Sequence, residues 1–486
     1  MKTSIPCKIY KLFAGLSFAF SYLIWYIIFS GYDNAMHVPN AMIFILTWVG
    51  IAICIIYAAA WKRLTGKYYT TFNIFLAFLA LFNFGQCFLW AFGIHTDDEI
   101  GKKLLFSSVA ADDRLIVKAQ LMFIISYIAV NTGALFVWSS KNTKKIETLP
   151  ERGTHGDKRY RTLYMTSLII AFFSIPCALY QAGIRLIYSQ LYSYHDLYYG
   201  SIASTLNNPV IIIGSQMFFA SLLGLLIGSC YKDSIRRGVY IIFGIYAVVT
   251  LLCGDRGEWL QPFIFLLWAH WSLYKPINSK KLIKWIIIGI IGLYIIDAIV
   301  GMRNTGLSFD GFYESLTDVN SNPIISNLIE FGQSMGIVMI VMENNVVPIY
   351  GNTYLMTIPT LFGTGFANGI FGLNYVQLHT WFPAEYLEIS YGTDFSIIGE
   401  AVLNFGTYFA PCIILIEGLI IGRVYSIPNR KNEHPLGLCL SISCMASILK
   451  IARSTVWLTA NEIVCTVLAF SLIYLIVSSV ISRRRK

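Results

Sequence analysis

The sequence predicts an all-α polytopic membrane protein, with about twelve transmembrane helices and one large external loop carrying an amphipathic or re-entrant helix. Three observations lead there. Hydrophobic types make up 56% of the 486 residues and charged types only 13%, with a mean hydropathy of +0.62, whereas a soluble chain of this length keeps more charge for its surface. Apolar runs close to the roughly 20 residues needed to cross a bilayer recur along the whole chain. The basic residues are sorted into alternate connecting segments, as the positive-inside rule requires.

Taken in order, Lys2, Lys8 and Lys11 lead into an apolar run from Leu12 to Phe29. The run is long and lacks a small-residue cleavage site, so it reads as an uncleaved first helix rather than a signal peptide. The twelve expected spans are 12–30, 41–61, 70–94, 119–139, 163–184, 209–230, 238–253, 259–274, 283–300, 396–421, 436–452 and 457–481. With the N-terminus assigned to the cytoplasm, the cytoplasmic segments hold 27 of the 36 Lys and Arg. The densest is the loop 140–162, with Lys141, Lys144, Lys145, Arg152, Lys158, Arg159 and Arg161. The C-terminal Arg483 to Lys486 also falls on the cytoplasmic side. Removing one helix would invert half the chain.

Three regions follow: membrane helices 1–300, an external loop 301–395, and membrane helices 396–486. The external loop contains one basic residue, Arg303, against eight acids. Within it, Ile324 to Met342 is apolar but interrupted by Asn327, Glu330, Gln333 and Ser334, so it is expected to lie against the outer face. The loop 185–208 is rich in tyrosine. The net charge of +10 does not point to nucleic acid, because it is sorted by side of the membrane. The ten cysteines form no C-x-x-C pair, so neither a zinc site nor a disulfide framework is implied.

Nine basic residues fall outside the cytoplasmic segments: Lys102, Lys103, Arg114, Lys118, Arg185, Arg256, Arg303, Lys450 and Arg453. Arg256 stands in Gly254-Asp255-Arg256-Gly257-Glu258, a turn between two spans at the expected outer surface. Charge at that depth is costly, about 2.5–3.5 kcal/mol for a central Arg on the insertion scale and less near the interface. The turn is either an Asp–Arg pair closing a helical hairpin or an anion site. Arg303 follows the ninth span, and Lys450 and Arg453 end the eleventh, three residues apart. They are either snorkelling anchors or, if the helices converge, parts of one cationic pocket for a diphosphate, which guanidinium groups grip in a bidentate fork.

Glu400 lies one turn inside the tenth span. It is either a structural ion-pair partner of one of these arginines, or a general base or a group orienting a sugar hydroxyl. Glu258, Glu330 and His379 are lesser candidates for that second role. The chain has no D-x-D, P-loop, G-x-S-x-G or H-E-x-x-H motif. The expectation is a pre-activated donor, no cofactor and no tightly held metal.

Two short motifs, Gly254 to Gly257 (G-D-R-G) and Gly392 to Gly406 (G-x-x-x-S-x-x-G-E-x-x-x-N-F-G), together with the many spans and the one large external loop, resemble bacterial O-antigen polymerases of the Wzy type. The resemblance covers nearly the whole chain in architecture and only these motifs in residues. It implies a metal-independent glycosyltransferase in the inner membrane, with both termini cytoplasmic. Such an enzyme transfers a growing glycan from undecaprenyl diphosphate to a new lipid-linked repeat unit on the periplasmic face, with a chain-length regulator as a further partner. By motif position, Arg256 would stabilise the departing diphosphate and Glu400 matches the family's acidic position. Arg303, Lys450 and Arg453 join as diphosphate ligands on depth and charge alone. An O-antigen ligase and a lipid-linked oligosaccharide flippase are the alternatives. Charges collected at one face, with no mirrored halves, favour an enzyme over the flippase.

Overall fold

The computed structural model describes residues 7–33, 38–105, 109–138, 158–191, 208–255, 257–277, 279–301, 322–343, 349–357, 359–362, 366, 369, 378–389, 393, 395–429 and 434–483. Among these, helices dominate and no β-strand forms beyond two isolated bridges. Ten helical stretches are long and apolar enough to cross a membrane. Nine coincide with expected spans: α1 (Cys7–Asp33), α2 (Asn40–Thr65), α3 (Thr71–Trp90), α4 (Asp113–Val137), α5 (Lys158–Leu191), the pair α6 (Pro209–Gln216) and α7 (Phe218–Gly228), α8 (Asp233–Leu252), and two C-terminal helices introduced below.

Local chemistry sets the ends. Asp112 caps α4 by accepting the Leu115 N–H at 2.7 Å, so the helix starts well before the expected boundary at 119. α2 closes on Gly66, whose φ of +82° returns its N–H to the Lys62 carbonyl, with Lys62 and Arg63 favourably placed at the negative end of the helix dipole. α5 runs to Leu191, beyond the expected 184, so Arg185 and Tyr188 are helical rather than part of a loop.

Three expected spans, the eighth, the ninth and 396–421, are not among these ten stretches. The eighth is α9 (Gly257–Ala269) ending in a π turn, His270–Tyr274. The ninth is α10 (Ser279–Gly301), apolar along Ile287–Ile296. The tenth spanning stretch is Pro323–Glu343, which the sequence places on the outer face. It forms α11 (Pro323–Phe331) and α12 (Ser334–Glu343), and Ser334 to Met342 are all buried against α3, α4 and the helix that carries Glu400. A helix pair buried in this way against protein is compatible with the expected re-entrant placement. Of its polar residues, Asn327 and Ser334 are buried while Glu330 is 42% exposed; Gln86 donates to the Ile329 carbonyl at 3.0 Å, and Gly332 packs against the Gln86 backbone. Further on lie α13 (Asn352–Leu355) and α14 (Leu378–Tyr386).

The expected span 396–421 breaks into α15 (Ile397–Phe405) and α16 (Ala410–Tyr425). Gly406 separates them with φ +77° and ψ 162°, a conformation open to glycine. The last two spans are α17 (Pro435–Leu449), extended by the 3₁₀ turn Lys450–Ala452, and α18 (Val456–Arg483).

The chain divides into two compact units, each assembled from non-consecutive segments. The first comprises Met1–Lys145, Ile325–Lys431 and Ile448–Asn461, and the second Ile146–Ile324, Asn432–Ser447 and Glu462–Lys486. In the first, α4 is buried from Leu115 to Ala134 and packs most extensively on α16. Small residues permit this approach, as they do generally between membrane helices. A Cβ on Gly418 would lie 2.5 Å from the Val130 carbonyl oxygen, and Gly133 and Gly422 meet backbone just as closely. In the second unit, α5 packs on α6, α7 and α8, with Gly224 set against Ser167 and Gly228 against the backbone of Tyr164.

Candidate functional site

In the second unit, the Gly254 to Glu258 turn joins α8 to α9, and each described residue in it has a structural task. Gly254 takes φ +84°, and the Asp255 N–H reaches back to the Thr250 carbonyl at 3.2 Å, which ends α8. The Asp255 carboxylate then accepts the N–H groups of Gly257 at 3.0 Å and Glu258 at 3.4 Å, which starts α9. Glu258 accepts from the Arg185 guanidinium at 2.6 Å and from the Tyr246 hydroxyl at 3.4 Å. The side chains of Arg185 and Glu258 are 18% and 40% exposed, so α5 is tied to the turn by a partly wet ion pair. Arg256 itself lies outside the described residues, as does Arg303. Among the described residues, the Asp255 carboxylate serves as a helix cap and Glu258 pairs with Arg185. Arg185 was visible in the sequence only as a basic residue on the unexpected side. Its pairing with Glu258, 73 residues away, has no sequence signal.

The first unit holds Glu400, Lys450 and Arg453. Ser396 caps α15 by accepting the Gly399 N–H at 3.2 Å, which places Glu400 in the first turn. Glu400 is fully buried. Its two oxygens accept the Thr353 O–H and the Val456 N–H, each at 2.7 Å. Asn404, one turn on, donates to the Thr353 hydroxyl oxygen at 2.9 Å and accepts the Thr353 N–H at 3.3 Å. The E-x-x-x-N spacing is therefore a clamp: two side chains on one helix face grip α13 at Thr353, and the same carboxylate holds the first turn of α18. Phe405 covers Gly351 and lies 5.8 Å from the ring of Tyr354. Among the described residues no arginine pairs with Glu400, so the ion-pair alternative gives way to hydroxyl and amide donors.

Lys450 and Arg453 bracket the 3₁₀ turn after α17. The Arg453 N–H bonds the Lys450 carbonyl at 2.9 Å, and Asn83 on α3 fixes the turn by donating to the Ala452 carbonyl at 3.0 Å. The Arg453 guanidinium lies 3.8 Å from a Glu330 carboxylate oxygen, 5.5 Å from the Phe82 ring centre and 6.0 Å from that of Phe331. At that distance and with 27% exposure, the pair contributes about 0–1 kcal/mol.

One buried carboxylate was missed. Glu417, in the middle of α16, lies beside Tyr354, and neither of its buried oxygens has a hydrogen-bond partner among the described residues. The rule that singled out Glu400, a carboxylate inside an apolar run, applies equally to Ile413-Ile414-Leu415-Ile416-Glu417-Gly418.

Neither curated proteins nor solved structures give a match. Comparison with protein families matches O-antigen polysaccharide polymerase Wzy over residues 12–484. With nearly its whole length matched, this chain belongs to the O-antigen polysaccharide polymerase Wzy family.

Proposed function

We propose that the chain joins oligosaccharide repeat units carried on undecaprenyl diphosphate, at the periplasmic face of the inner membrane, with both termini in the cytoplasm. The observation that carries this reading is the family match over residues 12–484. The acceptor hydroxyl attacks the anomeric carbon of the donor glycan and gives up its proton to solvent. The bond to the lipid diphosphate breaks, and the diphosphate leaves with the electron pair. Stabilising the charge on that leaving group is the principal demand on the protein. We assign it to Arg256, with Arg303, Lys450 and Arg453 as further cationic ligands and no metal required.

Support for Arg256 comes from its neighbours. Gly254 ends one helix, Asp255 starts the next, and Glu258 is tied to Arg185, so the residues on either side of position 256 are fixed. Glu258 acts as a positioning residue for that turn. Glu400 acts likewise through Val456, the residue that starts α18 just beyond Arg453.

Deleting the gene tests the function. A polymerase loss leaves surface glycan carrying a single repeat unit. A bare lipopolysaccharide core would instead indicate a ligase or flippase and refute the proposal.

A further inference from the structure

Away from that chemistry, the second unit contains a cavity of about 270 Å³ between the start of α5 and the turn from α7 to α8. Arg161 and Lys232 line it, with Tyr160, Tyr164 and Ser229 as polar wall. Sequence logic explains why it exists. Gly228 lets the end of α7 touch the backbone of Tyr164, where a Cβ would fall 2.6 Å from the Tyr164 nitrogen. The chain then reverses through two successive left-handed residues, Cys230 (φ 49°) and Tyr231 (φ 56°). The Tyr231 N–H returns to the Leu226 carbonyl at 2.8 Å and the Cys230 N–H to the Ile227 carbonyl at 3.0 Å. This helix-closing motif normally uses glycine. Here the strain is held by Tyr231, which is buried and stacked on Tyr274 at 5.1 Å. The reversal sets Lys232 on the same cavity as Arg161.

Among the described residues, the local charge balance is positive. The nearby carboxylate, Asp233, is paired with Arg236 at 3.2 Å, and Arg236 also lies over the Tyr274 ring at 4.8 Å. Among the described residues, neither Arg161 nor Lys232 is in an ion pair. Both cavity-lining segments are ones that the charge bias assigns to the cytoplasmic side. A basic recess between helix ends at that level matches the headgroup of an anionic lipid.

We propose that this cavity binds a phosphate-bearing anion, distinct from the lipid diphosphate at the opposite face and independent of the polymerase reading. A phospholipid headgroup or a soluble phosphate could supply that chemistry, and the test separates them. The purified full chain in neutral detergent is titrated with phosphatidylglycerol, with phosphatidylcholine and with inorganic phosphate, and bound species are counted by native mass spectrometry. Preferential phosphatidylglycerol adducts that resist inorganic phosphate support a lipid site, and adducts displaced by it support a site for the soluble anion. The double variant Arg161→Gln/Lys232→Gln is expected to bind on the order of tenfold more weakly, while Arg237→Gln, an exposed charge outside the cavity lining, leaves binding unchanged. Equal retention of phosphatidylglycerol and phosphatidylcholine with no phosphate bound, or equal loss in the double variant and Arg237→Gln, would overturn the proposal.

Discussion

Replacing Glu400 by alanine withdraws the acceptor for two groups at once: the Thr353 hydroxyl and the Val456 amide, both at 2.7 Å. Thr353 and Glu400 are buried, so water does not readily substitute. An unmet buried donor costs about 1–3 kcal/mol, and two come to about 2–6 kcal/mol before any cavity is counted. Glu400→Gln is milder. Its amide oxygen still accepts from Val456, and its amide nitrogen can donate to the Thr353 hydroxyl oxygen, which leaves the Thr353 proton to find a new acceptor at about 1–3 kcal/mol. Thr353→Val breaks the same contact from the other side, so the Glu400→Gln/Thr353→Val pair should be non-additive by about 0.5–3 kcal/mol. Thermal unfolding of the detergent-solubilised protein reads the stabilities, and a lipopolysaccharide gel reads the polymer. The clamp reasoning fails if Glu400→Ala melts with the wild type. The positioning role fails if Glu400→Gln folds like the wild type yet yields only single repeat units, because the carboxylate would then act in the chemistry.

Arg256→Ala should insert normally but abolish long-chain polymer, and Arg256→Lys should also be impaired because the planar fork is lost; a normal ladder from the lysine variant would reduce the residue to a point charge. Gly418→Ala places a methyl 2.5 Å from the Val130 carbonyl oxygen and should destabilise the α4–α16 contact by about 1–3 kcal/mol. Gly31→Ala, in open space on α1, should instead stabilise by about 0.5–1 kcal/mol, so melting shifts of equal sign would contradict the packing argument. Breaking the Arg185–Glu258 pair with Arg185→Gln should lower stability by only about 0–1 kcal/mol, given the partial exposure of both side chains, yet reduce polymer length if the turn carries the reaction. Full-length polymer from that variant would detach α5 from the site.

The spanning segments were legible because their cause is local. A backbone in lipid must satisfy its own hydrogen bonds, which forces helices, and apolar runs of the needed length stand out in any window. Most boundary errors trace to capping. Asp112 starts α4 early, and α5 outlasts its apolar run by carrying Arg185 toward Glu258. The Ile324 to Met342 segment shows a further limit. Its Asn327 is buried inside a helix and its Gln333 falls at the break beside Gly332, which packs on Gln86 of α3, and a linear pattern does not distinguish water from a neighbouring helix as the polar partner.

By itself the sequence determined that this protein is a bundle of membrane helices, where its basic residues concentrate, and which family it resembles through two short motifs. Tertiary structure alone decided which partners the acids of those motifs take. Glu400 answers to Thr353 and Val456, 47 and 56 residues away, Glu258 to Arg185, and Arg161 shares a cavity with Lys232. The reason is physical: burial follows from composition over a short window, whereas the partner of a buried charge is set by which distant segments the packing of α4 on α16 and of α5 on α7 brings within hydrogen-bond range.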